Sequence, residues 1–454
     1  MDEPRLRRQL GPVSAVMVTV GSVIGSGIFL KPHDIARALA EPTWIYIGWA
    51  GLGVVCLFGA FVFAELGVRF PEAGGQYAFL REGWGRFPAF LFGWCQLLVI
   101  NTGTLAGLAA ALGENLGSLV PLSPASRFAV GAAMILLLAG VNHFGVRFGA
   151  ILQNVTTFAK LVALGAIVFG GFLLSGGARA PAGSPNTPVA LPDFTTGLVQ
   201  ACVAIFWAYE GWYQLPFNAA ELRNPRRDLP LGLILGMVIL IVTYTAVNAV
   251  YLHLVPLDEM RAFAHAVDVP REAVVRTFGA AAGTWLVGLI CLSVFGAGNP
   301  NLLATPRAFY AMAQDRLVPT LLLRIHPRHA TPVVSIWTQA IWSLVVLWIL
   351  KGFRELTEYV VFASLLFYAL TVAGVYVLRW RQRELPRLFR CWGYPVTPAV
   401  FIAIVLAVDV RTLMDPKARA NALMGLLILA AGVPVYFLMA RRRKGAAVPT
   451  RKEE

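Results

Sequence analysis

The chain has 454 residues, 57% of them hydrophobic and 14% charged, with a formal net charge of +14 and a mean hydropathy of +0.67. Soluble domains carry about 25% charged residues, so composition excludes a soluble enzyme and points to an integral membrane protein. The positive balance invites a nucleic-acid reading, but the charges sit where membrane topology wants them, as set out below.

The first apolar segment, 13–30, reaches the roughly 20 residues that a spanning helix needs. Gly21, Ser22, Gly25, Ser26 and Gly27 fall at its middle. Glycine weakens a helix interior by about 1 kcal/mol relative to alanine, so an unwound stretch is expected there. In a bilayer such backbone is tolerated only where protein buries it or it lines a cavity. A half-helix restarting near Ser26 would aim free N–H groups and roughly half a positive charge at that cavity, which suits a carboxylate. A second reading stands beside it: Gly21 and Gly25 form a small-residue face for helix packing. The Arg-rich start resembles a signal peptide, but it lacks a cleavage site and its apolar run exceeds the usual length, so it reads as an uncleaved first helix.

Further spans are read at 44–65, 89–116, 128–141 and 150–174, with an inner loop at 69–77 and a Pro/Ser turn at 119–126. A Gly-, Pro- and Ala-rich stretch at 175–192 is the candidate link between two halves. The sixth segment, 195–217, is interrupted at Trp207, Ala208, Tyr209, Glu210 and Gly211. Segments at 231–253, 280–304, 333–350, 359–378, 397–410 and 420–439 complete about twelve spans, with a polar outer stretch at 254–278. The expected division is an inner segment 1–11, a first five-helix repeat 12–174, an outer linker 175–194, and a second, inverted repeat 195–380. An inner loop with two extra helices (381–440) and a basic tail (441–454) follow. With both termini cytoplasmic in the plasma membrane, roughly 25 Lys and Arg residues fall inside and roughly 12 outside. The clusters at 5–8, 379–383 and 441–444 are then topology signals and lipid contacts.

Two five-helix halves that each open on an interrupted helix form the pattern of a secondary transporter, with substrate held where the breaks meet. Hydropathy and break position carry this repeat; the residues of the two halves do not visibly match. Glu210 lies at the second break, where a carboxylate costs at least about 2.5–3.5 kcal/mol and needs a partner or a watery cavity. It reads as a contact for an ammonium or a proton, with a structural pairing as the alternative. Lys160, about a third of the way along the fifth segment, either snorkels to the inner surface or reaches carbonyls freed by the first break and replaces a bound cation. Trp207 is either a lid over substrate or a packing aromatic. Glu65 is expected to reach water or an arginine of the next loop. Pro300, between Asn299 and Asn301, should free a carbonyl in the eighth segment. The five cysteines give neither metal spacing nor a disulfide framework, and the histidines suggest no metal site or catalytic set. No cofactor is expected.

Gly25-Ser26-Gly27-Ile28-Phe29 together with Phe206-Trp207-Ala208-Tyr209-Glu210-Gly211-Trp212 resembles the amino acid/polyamine/organocation superfamily, with the L-type amino acid transporter branch the nearest pattern. Pro71-Glu72-Ala73-Gly74-Gly75, Ala220-Glu221-Leu222-Arg223-Asn224-Pro225, Thr305-Pro306-Arg307-Ala308-Phe309-Tyr310-Ala311-Met312 and Gly393-Tyr394-Pro395-Val396-Thr397-Pro398 follow in the family's order. The resemblance implies an all-α, leucine-transporter-like fold of five plus five helices with helices one and six unwound and two helices added. It implies that a substrate carboxylate meets N–H groups around Ser26, Gly27 and Ile28, with Val23 close by. The α-ammonium would meet the break around Phe206, Trp207, Ala208, Glu210 and Gly211, under Trp207 as gate. Lys160 would stand in for a sodium site beside Ser293, and Phe362 and Ser364 would line a side-chain pocket. Animal members carry a cysteine after helix three that tethers a heavy chain; 118–127 has none here, so a stand-alone carrier is expected. An acidic residue at position 210 resembles members that also take cationic amino acids. The expected activity is Na⁺-independent exchange of neutral, and through Glu210 cationic, L-amino acids, with a proton-coupled amino acid or polyamine symporter as the rival.

Overall fold

The computed structural model describes residues 6–174, 190–349, 353–384, 386–416 and 419–445. Most of the expected linker and the end of the basic tail lie outside the described residues. Among the described residues the chain is helical, with one isolated bridge between Leu10 and Leu222.

The first span is α1 (Pro12–Val23) and α2 (Gly27–Ala38), followed by α3 (Pro42–Arg69) and a short α4 (Gln76–Trp84). Then come α5 (Arg86–Cys95) and α6 (Asn101–Gly117), joined by a π-helical turn at Gln96–Ile100, then α7 (Pro124–His143) and α8 (Val146–Leu173). The later part holds α9 (Phe194–Tyr209), a 3₁₀ turn at Leu215–Glu221, α10 (Pro225–Leu254), α11 (Leu257–Ala262), α12 (Asp268–Phe278) and α13 (Ala280–Leu303). It closes with α14 (Pro306–Gln314), α15 (Val333–Ile349), α16 (Phe353–Arg381), α17 (Val396–Met414) and α18 (Arg419–Gly445). Among the described residues ten stretches are long and apolar enough to cross a membrane, and α9 and α15 are shorter apolar helices at two further expected spans.

Both expected interruptions are present. Ile24 leaves the helix with ψ 89°, and α2 starts afresh at Gly27. In the sixth segment Glu210 turns extended (ψ 137°) and Gly211 takes φ +111°, a left-handed value natural to glycine. After it the chain resumes as a seven-residue 3₁₀ helix rather than a second α-helical half. Asn218 fastens that turn, donating to Glu221 Oε2 (2.5 Å) and to the Leu303 carbonyl (3.1 Å).

The end of the bundle that carries Leu10 is called basal here, and the opposite end distal. At the basal end Gln9 and Leu10 donate N–H groups to the Glu221 carbonyl (2.9 and 3.0 Å). The Glu221 side chain forms a fully buried bidentate pair with Arg307 (3.0 and 2.8 Å). Glu65 does not meet an arginine of the next loop. It grips Arg379 at the end of α16 (2.9 and 2.5 Å) and the Cys391 N–H (2.7 Å), because α3 ends beside α16 and not over its own loop. Asp315 holds α4 through the Tyr77 hydroxyl (2.6 Å) and Arg81 (3.3 Å). Burial, and then the Asp315 carboxylate, push the Tyr77 phenol well above its ordinary range, so it remains a donor. At the distal end the expected polar stretch folds into α11 and α12. From there Arg261 caps α2, donating to the carbonyls of Ala36 (2.9 Å), Leu39 (2.8 Å) and Ala40 (2.7 Å), where a cation complements the helix C-terminus.

Candidate functional site

The two breaks lie against each other in the middle of the bundle. Ser22 Oγ is 3.0 Å from the Gly211 carbonyl. The Tyr244 hydroxyl, on α10, lies 2.9 Å from Val23 O and 3.1 Å from Ala208 O, so one proton serves a carbonyl of each break. Gly27 packs so closely on α9 that a Cβ there would stand 2.5 Å from Ala208 Cα. All of these residues are buried.

The C-terminal carbonyls of α1 need partners, because the helix stops where hydrocarbon offers no water. They find three. The Lys160 ammonium, on α8, donates to Ile24 O (2.6 Å) and Gly21 O (3.2 Å). Ser293, on α13, donates to Gly25 O (3.0 Å) and lies 3.2 Å from Ile24 O. Tyr244 supplies the third. Lys160 is 1% exposed, so its side chain runs inward to the break and does not reach a surface.

The N-terminus of α2 differs. Phe29 and Leu30 donate to the Ser26 carbonyl, whereas the N–H groups of Ser26, Gly27 and Ile28 make no hydrogen bond among the described residues. The Ser26 hydroxyl is likewise buried and unpartnered. One break therefore presents donors with the positive end of a helix dipole, and the other presents the C-terminal end of α9 within contact distance. Chemically, this pair of ends complements a zwitterion.

Glu210 meets hydroxyls. Tyr368 donates to Oε1 at 2.8 Å and Ser364 at 3.1 Å, both from α16. The structure thus brings Ser364 to Glu210, while Phe362 faces Gly425 on α18. Trp207 is buried at the end of α9. Asn299 and Asn301 tie helices together: Asn299 donates to Gly149 O and Gln153 Oε1, and Asn301 O accepts from Gln339.

Sequence reasoning missed three contributors. Tyr244 sits on an uninterrupted helix with nothing local to mark it. Tyr368 lies one turn beyond Ser364, a spacing that places both on one face. The π turn before α6 sets Asn101 within 3.3 Å of the Tyr213 hydroxyl, beside the second break; such turns cluster at functional sites. Thr102 bonding five residues back to Leu97 (2.7 Å) accompanies it.

A family model for amino acid permeases matches residues 10–433. The chain belongs to the amino acid permease family. It is 30% identical to the human b(0,+)-type amino acid transporter 1, over 97% of this chain and 90% of the relative. It is 28% identical to the serine/threonine exchanger SteT of Bacillus subtilis, over 96% and 98%. It is 30% identical to the human large neutral amino acids transporter small subunit 2, over 95% and 80%. This permease is accordingly a multi-span amino acid transporter and not an enzyme.

Lys160→Ala in this permease removes the ammonium and leaves the buried Gly21 carbonyl without its partner, a loss of about 1–3 kcal/mol, while Ile24 O keeps Ser293 Oγ at 3.2 Å. The expected result is a protein that still inserts and purifies but transports at least about tenfold more slowly. Wild-type rates in the variant would show that the ammonium is dispensable at the break.

Proposed function

We propose that the permease exchanges neutral, and through Glu210 cationic, L-amino acids across the plasma membrane by alternating access, without Na⁺. In this reading both termini are cytoplasmic, the basal end is the inner face, and residues 12–174 and 195–380 are inverted repeats. The observation that carries it is Lys160, whose fixed ammonium lies 2.6 Å from Ile24 O and 3.2 Å from Gly21 O. Carbonyls freed at a half-helix end are where transporters of this build coordinate Na⁺, and a tethered cation there makes a diffusible one redundant. The substrate carboxylate would take the N–H groups of Ser26, Gly27 and Ile28 next to Val23. The α-ammonium would take the end of α9 around Phe206, Trp207, Ala208, Glu210 and Gly211, with Trp207 closing over it. Ser364, and more remotely Phe362, would face the side chain. A relative named as an exchanger supports exchange, and one named for large neutral amino acids supports the substrate class. The absence of cysteine from 118–127 supports a carrier without a disulfide-linked heavy chain.

One observation favours proton coupling as a second reading. The Glu210 contacts to Ser364 and Tyr368 are hydroxyls, so charge there can be balanced by a proton as readily as by a substrate cation.

Purified protein in sodium-free liposomes separates the two. Uptake of labelled alanine or arginine that requires an internal amino acid supports exchange. Uptake into empty vesicles driven by a pH gradient overturns it in favour of symport. Glu210→Gln is expected to weaken arginine relative to alanine by about tenfold, the loss of one charged hydrogen-bond partner. An unchanged ratio assigns Glu210 to holding α16.

A further inference from the structure

A cavity of about 630 Å³ opens at the distal end, bounded by α2, the end of α6, the start of α7, α12 and the start of α13. Its size falls within the roughly 300–1,000 Å³ of small-molecule sites. It is not the space between the breaks. Its wall starts at Leu30 and Lys31, four and five residues beyond Ser26 on one helix, hence about 6–8 Å further out.

Its lining is charged in both senses. Lys31, Arg127 and Arg271 supply cations, and Asp34, Glu114 and Asp268 supply acids. Lys31 is 6% exposed, and its ammonium is 3.3 Å from Asp34 Oδ2. Arg127 and Arg271 stand exposed at the rim. A balanced set suits a zwitterion. It does not suit a polyamine, which would call for an excess of acids.

We propose that this cavity is a second, outer binding subsite for the amino acid, in which Lys31 holds the carboxylate before it passes down α2 to the N–H groups of Ser26, Gly27 and Ile28. The proposal rests on the transport reading above and gives it an outer waiting position. Arg127 and Arg271 draw the carboxylate in, and Asp34 exchanges its partner for the ammonium of the ligand. Both anchors belong to α2, so the outer and inner positions are joined by one helix. The subsite acts on one side of the membrane only, which makes its signature directional.

Vesicles loaded with alanine give the outer KM from uptake and the inner KM from efflux. Lys31→Gln is expected to raise the outer KM for alanine about fivefold, a part of one charged hydrogen bond in a wet cavity, and to leave the inner KM unchanged. Lys31→Arg should restore the outer value. Should Lys31→Gln fail to insert, Arg271→Gln at the exposed rim should still raise the outer KM about twofold, with a weaker dependence on ionic strength. An unchanged outer KM, or equal rises on both faces, overturns the subsite. Wild-type vesicles that exchange no amino acid overturn the transport reading and the subsite with it, whereas normal exchange with an unmoved outer KM removes the subsite alone.

Discussion

Arg307→Ala is expected to be among the most damaging single substitutions, lowering the stability of the solubilised protein by about 3–5 kcal/mol. The cause is the partner left behind. Glu221 is 0% exposed and Arg307 1%, and truncating one member of such a pair strands a charge in a low-dielectric interior. Glu221 cannot turn to water, since Asn218 holds its Oε2 and its backbone carbonyl anchors Gln9 and Leu10. Thermal unfolding in detergent reads the effect. A shift equivalent to less than about 0.5 kcal/mol, as for an ordinary surface substitution, would refute it. The double variant Glu221→Leu with Arg307→Met should recover much of the loss, since an apolar pair of similar volume can replace a buried ion pair. It should nevertheless slow transport, because this pair and the Leu10–Leu222 bridge meet on the same turn after the second break.

Gly27→Val is expected to abolish transport, by at least about a hundredfold, for a reason the sequence did not show. From sequence, Gly27 matters because its N–H faces a carboxylate. In the structure its Cα hydrogens also face α9, and a Cβ would stand 2.5 Å from Ala208 Cα and 2.8 Å from Ala208 Cβ. Backbone cannot step aside as a flexible side chain can, so α2 must back away from α9 and carry its free N–H groups with it. Gly27→Ala should act in the same direction. Gly25→Ala is the milder control, since its nearest neighbour would be the Ala297 methyl at 3.1 Å. Equilibrium binding of labelled alanine to the purified protein checks binding separately from turnover. Retained binding in Gly27→Val would mean that the two half-helices tolerate separation.

The interruptions were legible because glycine and an acidic residue inside apolar runs violate local helical preference, and such violations mark sites. Gly21 to Gly27 and Trp207 to Gly211 announced themselves in this way. Lys160 was visible as a lone cation in a span, but its destination was not, because a lysine stem can run along the helix in either direction. Tyr244 and Tyr368 were illegible. Each is an ordinary aromatic on a regular helix, and only the packing of α10 and α16 beside the breaks gives it a partner. The 3₁₀ turn after Gly211 escaped notice because its cause is non-local: Asn218 bonds Leu303, 85 residues away. The same holds for Glu65, whose Arg379 partner lies 314 residues along the chain.

The Tyr244 hydroxyl has one hydrogen and two claimants, Val23 O and Ala208 O. In the alternating-access reading such a junction would act as a slip joint between α1 and α9. Either carbonyl can withdraw while the hydrogen stays satisfied by the other, so parting the two helices at this point leaves one carbonyl, and not the hydroxyl, without a partner. The carbonyl that withdraws is left seeking a donor at the moment it separates. A substrate ammonium at Ala208 would fill that need, and its arrival would then favour the rearrangement that its departure reverses.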